Sequence, residues 1–197
     1  MKKLFLYLAS VLFLFPFEGF SQSIPAAEEQ ILLAVQAGPL ELRKEATVLG
    51  YNADGVLETL RVGTNHLVCL ADDPNREGIS VACYHKSLEP FMARGRALKA
   101  AGKNREEIFQ TREREAKNGL LLMPRDPATL FVLSGKEAQY FPEPDSLTGA
   151  NLRYVVYIPF ATSESTGLPT QPRVPGEPWI MFPGTHGAHI MVTPPRK

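Results

Sequence analysis

The chain has 197 residues, and its 21 lysine and arginine residues balance 21 aspartate and glutamate residues, so its formal net charge is zero. Hydrophobic residues make up 44% and charged residues 21% of the chain, which is typical of a globular protein and excludes a collagen-like, coiled-coil or wholly disordered chain. The balanced charge argues against a general polyanion binder, so we expect no nucleic-acid partner.

The first 21 residues have the layout of a secretory signal peptide. Residues 1–3 are a basic start, residues 4–17 form an apolar run, and small residues stand at Gly19 and Ser21. We predict cleavage after Ser21, with cleavage after Ser23 as the competing position. A membrane anchor is the alternative, but this run is shorter than the roughly 20 residues of a spanning helix. The sequence therefore predicts export to the periplasm or the exterior. We expect residues 22–197 to form one globular domain without a membrane span.

The first half of that domain predicts one helix and four strands. Glutamates early in 26–37 suit the positive end of a helix dipole, and Gly38-Pro39 ends the helix. Short connections separate the strand candidates, which favours an antiparallel meander over parallel crossovers. The four predicted strands cover 47–51, 56–62, 66–71 and 79–84.

Two further helices are predicted before the chain returns to strands. Ser87 is the expected cap of the first, and Asn104 with Glu107 resembles the capping box of the second, whose middle is charged all round. The region 141–197 is rich in proline, and 161–178 has no periodicity. Later strand candidates are 129–133, 152–158, 179–182 and 189–192. We predict an α+β fold: an antiparallel sheet of five to seven strands, an N-terminal helix and an αα-hairpin inserted between strands.

Cys69 and Cys83 form the strongest candidate pair in the sequence. If the strands 66–71 and 79–84 pair as a hairpin in the register where residue numbers sum to 152, the two cysteines lie directly opposite each other. Export would then allow them to form a disulfide. The alternative is two buried thiols. A zinc site with His66 and His85 is disfavoured, because positions 66 and 69 of a regular strand point to opposite faces.

The acidic loop 73–78 resembles the start of a calcium-binding EF-hand loop. Tyr84 stands where the final carboxylate would be needed, and the flanking segments are strands rather than helices. We therefore interpret this loop as a solvated turn, in which aspartate, proline, asparagine and glycine are the usual residues.

His186 and His189 stand in a glycine-containing segment after the long proline-rich stretch. With His85 or Glu164 they could bind a divalent transition metal through imidazole and carboxylate groups, and these four residues are our candidate ligand site. We expect the two histidines on a partly exposed, ligand-facing loop. The alternative is that they are ordinary surface or hydrogen-bonded core histidines.

The sequence contains none of the common motifs of hydrolases, nucleotide-binding proteins or zinc proteases. We therefore favour a non-catalytic, exported domain that binds a small molecule or an envelope component, with no cofactor beyond the possible metal. The alternative is a metal-dependent enzyme that uses His186 and His189.

Overall fold

The computed structural model describes residues 24–143 and 145–195, and the predicted signal peptide lies outside these ranges. Within them, no helix is both long enough and apolar enough to cross a membrane. Short 3-10 turns occur at Val35–Ala37, Leu40–Leu42 and Lys86–Leu88. The α-helices are α1 (Ala27–Ala34), α2 (Glu89–Ala100), α3 (Arg105–Lys117) and α4 (Ser163–Thr166).

Ten strands are present in the described residues, and eight of them form one sheet in the order β2-β1-β3-β4-β5-β8-β10-β9. The other two, β6 and β7, form a separate antiparallel pair. The α+β class is confirmed. The strands are β1 (Thr47–Tyr51), β2 (Leu57–Arg61), β3 (Leu67–Leu70), β4 (Ile79–His85), β5 (Ala128–Gly135), β6 (Gln139–Phe141), β7 (Ser146–Thr148), β8 (Asn151–Tyr157), β9 (Trp179–Met181) and β10 (His189–Val192).

The predicted antiparallel sheet of five to seven strands is wrong in number and in direction. The sheet has eight strands and is mixed, because β1 and β3 run parallel. Short connections exclude a parallel arrangement only for strands that follow one another directly in the chain. In the structure β2 lies on one side of β1, at the edge of the sheet, and the chain returns past the start of β1 to place β3 on its other side.

Gly63 makes this return possible. Its backbone N–H donates to Thr47 Oγ1 at 3.0 Å, and a Cβ atom at position 63 would lie 2.3 Å from the backbone of Glu45 and Ala46. The following N–H groups, of Thr64 and Asn65, donate to Glu45 O at 2.9 and 3.2 Å. Only glycine allows the chain to pass this close to the first residues of β1.

The sheet exceeds the predicted size because both C-terminal strand candidates join it. His189–Val192 pairs with β8 and with β9, in both cases antiparallel. Pro178 and Pro183 lie just outside β9 and therefore do not interrupt its hydrogen bonds. The proline-rich composition consequently did not prevent strand formation.

The predicted pairing of β3 with β4 is confirmed. Cys69 lies opposite Cys83 and the two form a disulfide, with their Cα atoms 4.0 Å apart. Both cysteines are fully buried on the face of the sheet that packs against Ala34 of α1 and the turn that follows it. The bond leaves no thiolate for the zinc site that we considered.

Helices α2 and α3 follow one another between β4 and β5. The residues that alternate with the cysteines, Val68 and Tyr84, pack with Leu88, which directly precedes α2. Ser87 does not cap α2, because a 3-10 turn over Lys86–Leu88 precedes the helix. The capping box of Asn104 and Glu107 at the start of α3 is confirmed.

Candidate functional site: a buried histidine–aromatic cluster

The structure brings two of the four predicted site residues into one cluster. His186 and His189 are both buried, with 0% and 6% of their surface exposed. The rings of His85 and His66 are neighbours at 5.0 Å, and the His85 side chain accepts a hydrogen bond from Ser87 N. Glu164 lies exposed on α4. The expectation that the two C-terminal histidines are partly exposed is therefore wrong.

Six rings form a closed cycle, which we call the aromatic cluster. Helices α2 and α3, strand β8 and the C-terminal segment each contribute at least one ring. Every ring has a neighbour on both sides at a centroid distance between 4.7 and 5.9 Å, within the range of favourable aromatic contacts. In order around the cycle, the rings are His186, Phe91, Tyr157, His189, Phe182 and Phe109.

Glu113 of α3 holds His186 through one carboxylate oxygen. Glu113 Oε2 lies 2.6 Å from Nδ1 of His186 and accepts the backbone N–H of the same residue at 2.8 Å. Burial by itself would raise the pKa of Glu113, but hydrogen bonds from Lys117 and His186 outweigh it and lower this pKa to about 2. Glu113 is therefore ionised at neutral pH.

The ionised carboxylate fixes the protonation of His186. Burial lowers the pKa of His186, and the hydrogen bond to Glu113 only partly opposes this, so the ring is neutral at pH 7. A carboxylate can only accept, so Nδ1 carries the ring proton and Nε2 carries the lone pair. Nε2 is buried and has no hydrogen-bond partner among the described residues.

A backbone carbonyl two residues earlier in the chain fixes His189 in the same tautomer. Its Nδ1 lies 2.7 Å from the backbone carbonyl of Gly187, which can only accept, so Nδ1 is the donor. Burial lowers the pKa of His189, which is consequently neutral at pH 7 as well. Both histidines thus present Nε2 lone pairs, in the arrangement that orients histidines towards a bound metal or a donor group.

Arg112 adds a cation to the wall of the aromatic cluster. Its guanidinium carbon lies 3.9 Å from the centroid of the Phe91 ring, and its Nη1 donates to the backbone carbonyl of Phe91 at 3.2 Å. Gly95 of α2 leaves room for the group, since a Cβ atom there would lie 2.8 Å from Nη1. The Nε atom of Arg112 is buried without a hydrogen-bond partner within the described part of the chain.

The backbone beside the cluster is strained at two phenylalanines. Phe182 and Phe160 have φ angles of 53° and 65°, in the left-handed region that bulky residues rarely adopt. Two hydrogen bonds tie their loops together: Phe160 N donates to Thr185 O at 2.8 Å, and Gly184 N donates to Ala161 O at 2.7 Å. Strain of this kind persists only where the surroundings impose it, and it is frequent at ligand sites.

A groove of about 410 Å³ lies elsewhere, between α1 and the acidic loop that resembles an EF-hand. Two of its carboxylates, those of Asp72 and Asp73, already have partners within the protein. Asp72 accepts from Ser80 N at 2.8 Å, and Asp73 accepts from Asn75 N at 3.0 Å and from Lys99 Nζ at 2.9 Å. These bonds are those of a self-contained polar turn.

Residues 24–143 and 145–195 contain no group of three or more histidine, cysteine, aspartate or glutamate side chains placed to hold a metal. We did not predict Arg112 and Glu113 as site residues, because we expected the middle of α3 to be solvated. A helical spacing of three and four residues from Phe109 places both on the face of α3 that carries this ring, and this spacing is visible in the sequence.

Comparisons of the chain with models of protein families, with curated proteins and with solved structures found no match.

Proposed function

We propose that this protein is an exported domain that binds a small molecule at the aromatic cluster without catalysing a reaction. The observation that supports this proposal is His186, a fully buried side chain whose Nε2 lone pair has no partner among the described residues. A buried polar atom without a hydrogen bond costs roughly 1–3 kcal/mol. A ligand that donates a hydrogen bond to Nε2 would recover this energy.

The entry route that we propose runs past Phe182. This ring contacts Phe109 and His189 within the cluster, yet 48% of the residue is exposed. Its left-handed backbone is strained, so a movement that displaces this ring would also relieve strain. Displacement of Phe182 would open the aromatic cluster to solvent, and the aromatic rings suit a ligand with a flat, apolar body.

NMR of the histidine Cε1–H groups in the purified protein tests this proposal. Benzoate, benzamide and benzylamine present the same ring with an anionic, a neutral and a cationic group. We expect saturable shifts of His186 and His189 with at least one of them at concentrations up to about 10 mM, which detects dissociation constants near 1 mM.

His186→Gln should weaken the binding of benzamide or benzylamine at least roughly fivefold, because these compounds can donate a hydrogen bond to Nε2 and its loss costs about 1 kcal/mol. The matched control is His66→Gln, since His66 is exposed and lies outside the cluster. If none of the three compounds produces a saturable shift, the proposed function is wrong.

A metal-dependent enzyme that uses His186 and His189 is the second candidate. It is supported by the hydrogen bonds of both Nδ1 atoms to oxygen atoms, which leave both Nε2 atoms ready to bind a metal. His85 and Glu164 lie elsewhere, so water or substrate would complete the coordination. Titration with Zn²⁺ should shift both histidines together at one equivalent, and His189→Gln should abolish the effect. Zn²⁺ that leaves both resonances unchanged contradicts this candidate.

A further inference from the structure

Arg112 is a cation for which the described residues provide no carboxylate partner. Its contacts are the ring and the backbone carbonyl of Phe91, and burial lowers the pKa of its guanidinium group. The carboxylate of Glu113 is engaged by His186 and by Lys117, whose Nζ lies 2.6 Å from Oε1. An arginine remains charged even when partly buried, so this part of the cluster carries a positive charge that is not neutralised.

One edge of the guanidinium group has no hydrogen-bond acceptor among the described residues. Nη1 is engaged by the Phe91 carbonyl, whereas Nε is buried and lacks an acceptor in the described ranges. The edge formed by Nε and Nη2 matches the two oxygens of a carboxylate, which arginine binds through two parallel hydrogen bonds. An anion with only one acceptor atom would form fewer hydrogen bonds with this edge.

The surroundings favour an organic anion with an apolar body. Phe91 contacts both the guanidinium group and the ring of His186. The negative charge of Glu113, which holds this histidine, is paired with Lys117. The remaining rings of the cluster offer flat apolar surfaces on which an aromatic ligand would stack. The unpartnered Nε2 of His186 would accept a hydrogen bond from a hydroxyl group on such a ligand.

We propose that the aromatic cluster binds a small aromatic carboxylate, whose carboxylate group pairs with the Nε–Nη2 edge of Arg112. This inference rests on the proposed function, since it names the ligand class of the same site. Such a ligand would give a partner to two of the three buried side-chain polar atoms that lack a hydrogen bond within the described residues, Arg112 Nε and His186 Nε2.

The three matched compounds test the ligand class. Benzoate should bind at least about tenfold more tightly than benzamide, because charge-assisted hydrogen bonds contribute more than neutral ones. Benzylamine should bind most weakly, since it brings a second cation to Arg112. Binding is measured by the saturable shifts of the histidine Cε1–H resonances.

Arg112→Met should remove the preference for benzoate, so that benzoate and benzamide bind to this variant with similar affinity. Arg114→Met is the matched control, as Arg114 is an exposed residue of the same helix. Arg112→Lys keeps the charge but removes the planar pair of donors, so it should weaken benzoate at least roughly threefold. The lysine variant also covers the case in which the methionine variant fails to fold.

Each outcome decides between the proposals. If benzamide or benzylamine binds as tightly as benzoate, the carboxylate inference is wrong, although the proposed small-molecule function stands. Equal benzoate affinity of the Arg112→Met and wild-type proteins also overturns the inference. If no compound binds, both proposals are wrong.

Discussion

Glu113 and His186 are 73 positions apart in the chain, yet a single carboxylate oxygen of Glu113 is within hydrogen-bond distance of both the backbone nitrogen and Nδ1 of His186. This contact joins helix α3 to the segment that leads into strand β10. It orients the histidine, fixes its tautomer and leaves Nε2 directed away from the carboxylate. The ligand site that we propose depends on this contact.

Removal of the carboxylate should destabilise the protein. Glu113→Ala leaves two donors of His186 without an acceptor in a buried environment, and we expect the free energy of unfolding to fall by about 2–4 kcal/mol. Urea denaturation measures this change. Glu106→Ala, at an exposed position of the same helix, should change stability by about 0.5 kcal/mol or less. Similar losses in the two variants would contradict the assigned role of Glu113.

Stability should fall as the pH decreases below neutrality. Burial lowers the pKa values of His186 and His189 below the ordinary value of 6.5. The unfolded chain therefore binds protons at a higher pH than the folded chain, and stability present above pH 6.5 is lost as the pH falls through the folded pKa values.

A second loss should follow in more acidic solution. The pKa of Glu113 is lowered from 4.5 to about 2, so its contribution is present above pH 4.5 and disappears as the pH falls towards 2. Urea denaturation at a series of pH values measures both steps. Stabilities at pH 7.5 and pH 5 that are equal within experimental error would show that the two histidines do not titrate as we describe.

The disulfide should contribute strongly to stability. For the sequence separation of 14 between Cys69 and Cys83, restriction of the unfolded chain corresponds to about 3 kcal/mol. We expect the Cys69→Ala/Cys83→Ala double variant to lose about this amount, measured by urea denaturation. The wild type should lose stability in reducing buffer, whereas the double variant should be insensitive to it. Free thiols in the denatured, unreduced wild type would contradict the bond.

Phe182 offers a direct measurement of backbone strain. Glycine adopts a φ angle of 53° readily and alanine does not, so Phe182→Gly should be more stable than Phe182→Ala by about 1 kcal/mol. Both variants lose the same aromatic contacts, which makes the alanine variant the control. In a regular strand the order would be reversed, and a more stable alanine variant would therefore show that position 182 is not strained.

The predicted signal peptide implies that the exported protein has a defined N-terminus. Cleavage after Ser21 should produce an N-terminus at Gln22, and the intact mass of the protein recovered outside the cytoplasm measures it. Cleavage after Ser23 would shift the mass by two residues. A membrane-associated protein that retains Met1 would contradict the prediction.

Local patterns in the sequence were sufficient for most individual elements. The alternation of residues and the turn signals predicted β1 and β10 with their observed bounds, and the register of β3 and β4 placed Cys69 opposite Cys83. The capping box of α3 follows from the side chains of Asn104 and Glu107 alone. These features depend on interactions between residues that are close in the chain, or between neighbouring strands, and local chemistry determines them.

Only the tertiary structure decided the order of the strands and the composition of the site. The parallel pairing of β1 with β3 depends on the close passage of Gly63 over the start of β1, which no local pattern encodes. In the same way, the sequence identified His186 as a candidate but not its burial or its partners on α3. Those partners, Glu113 and Phe109, lie 73 and 77 residues away, and only the packing of α3 against the C-terminal segment turned a charged helical stretch into one wall of a buried site.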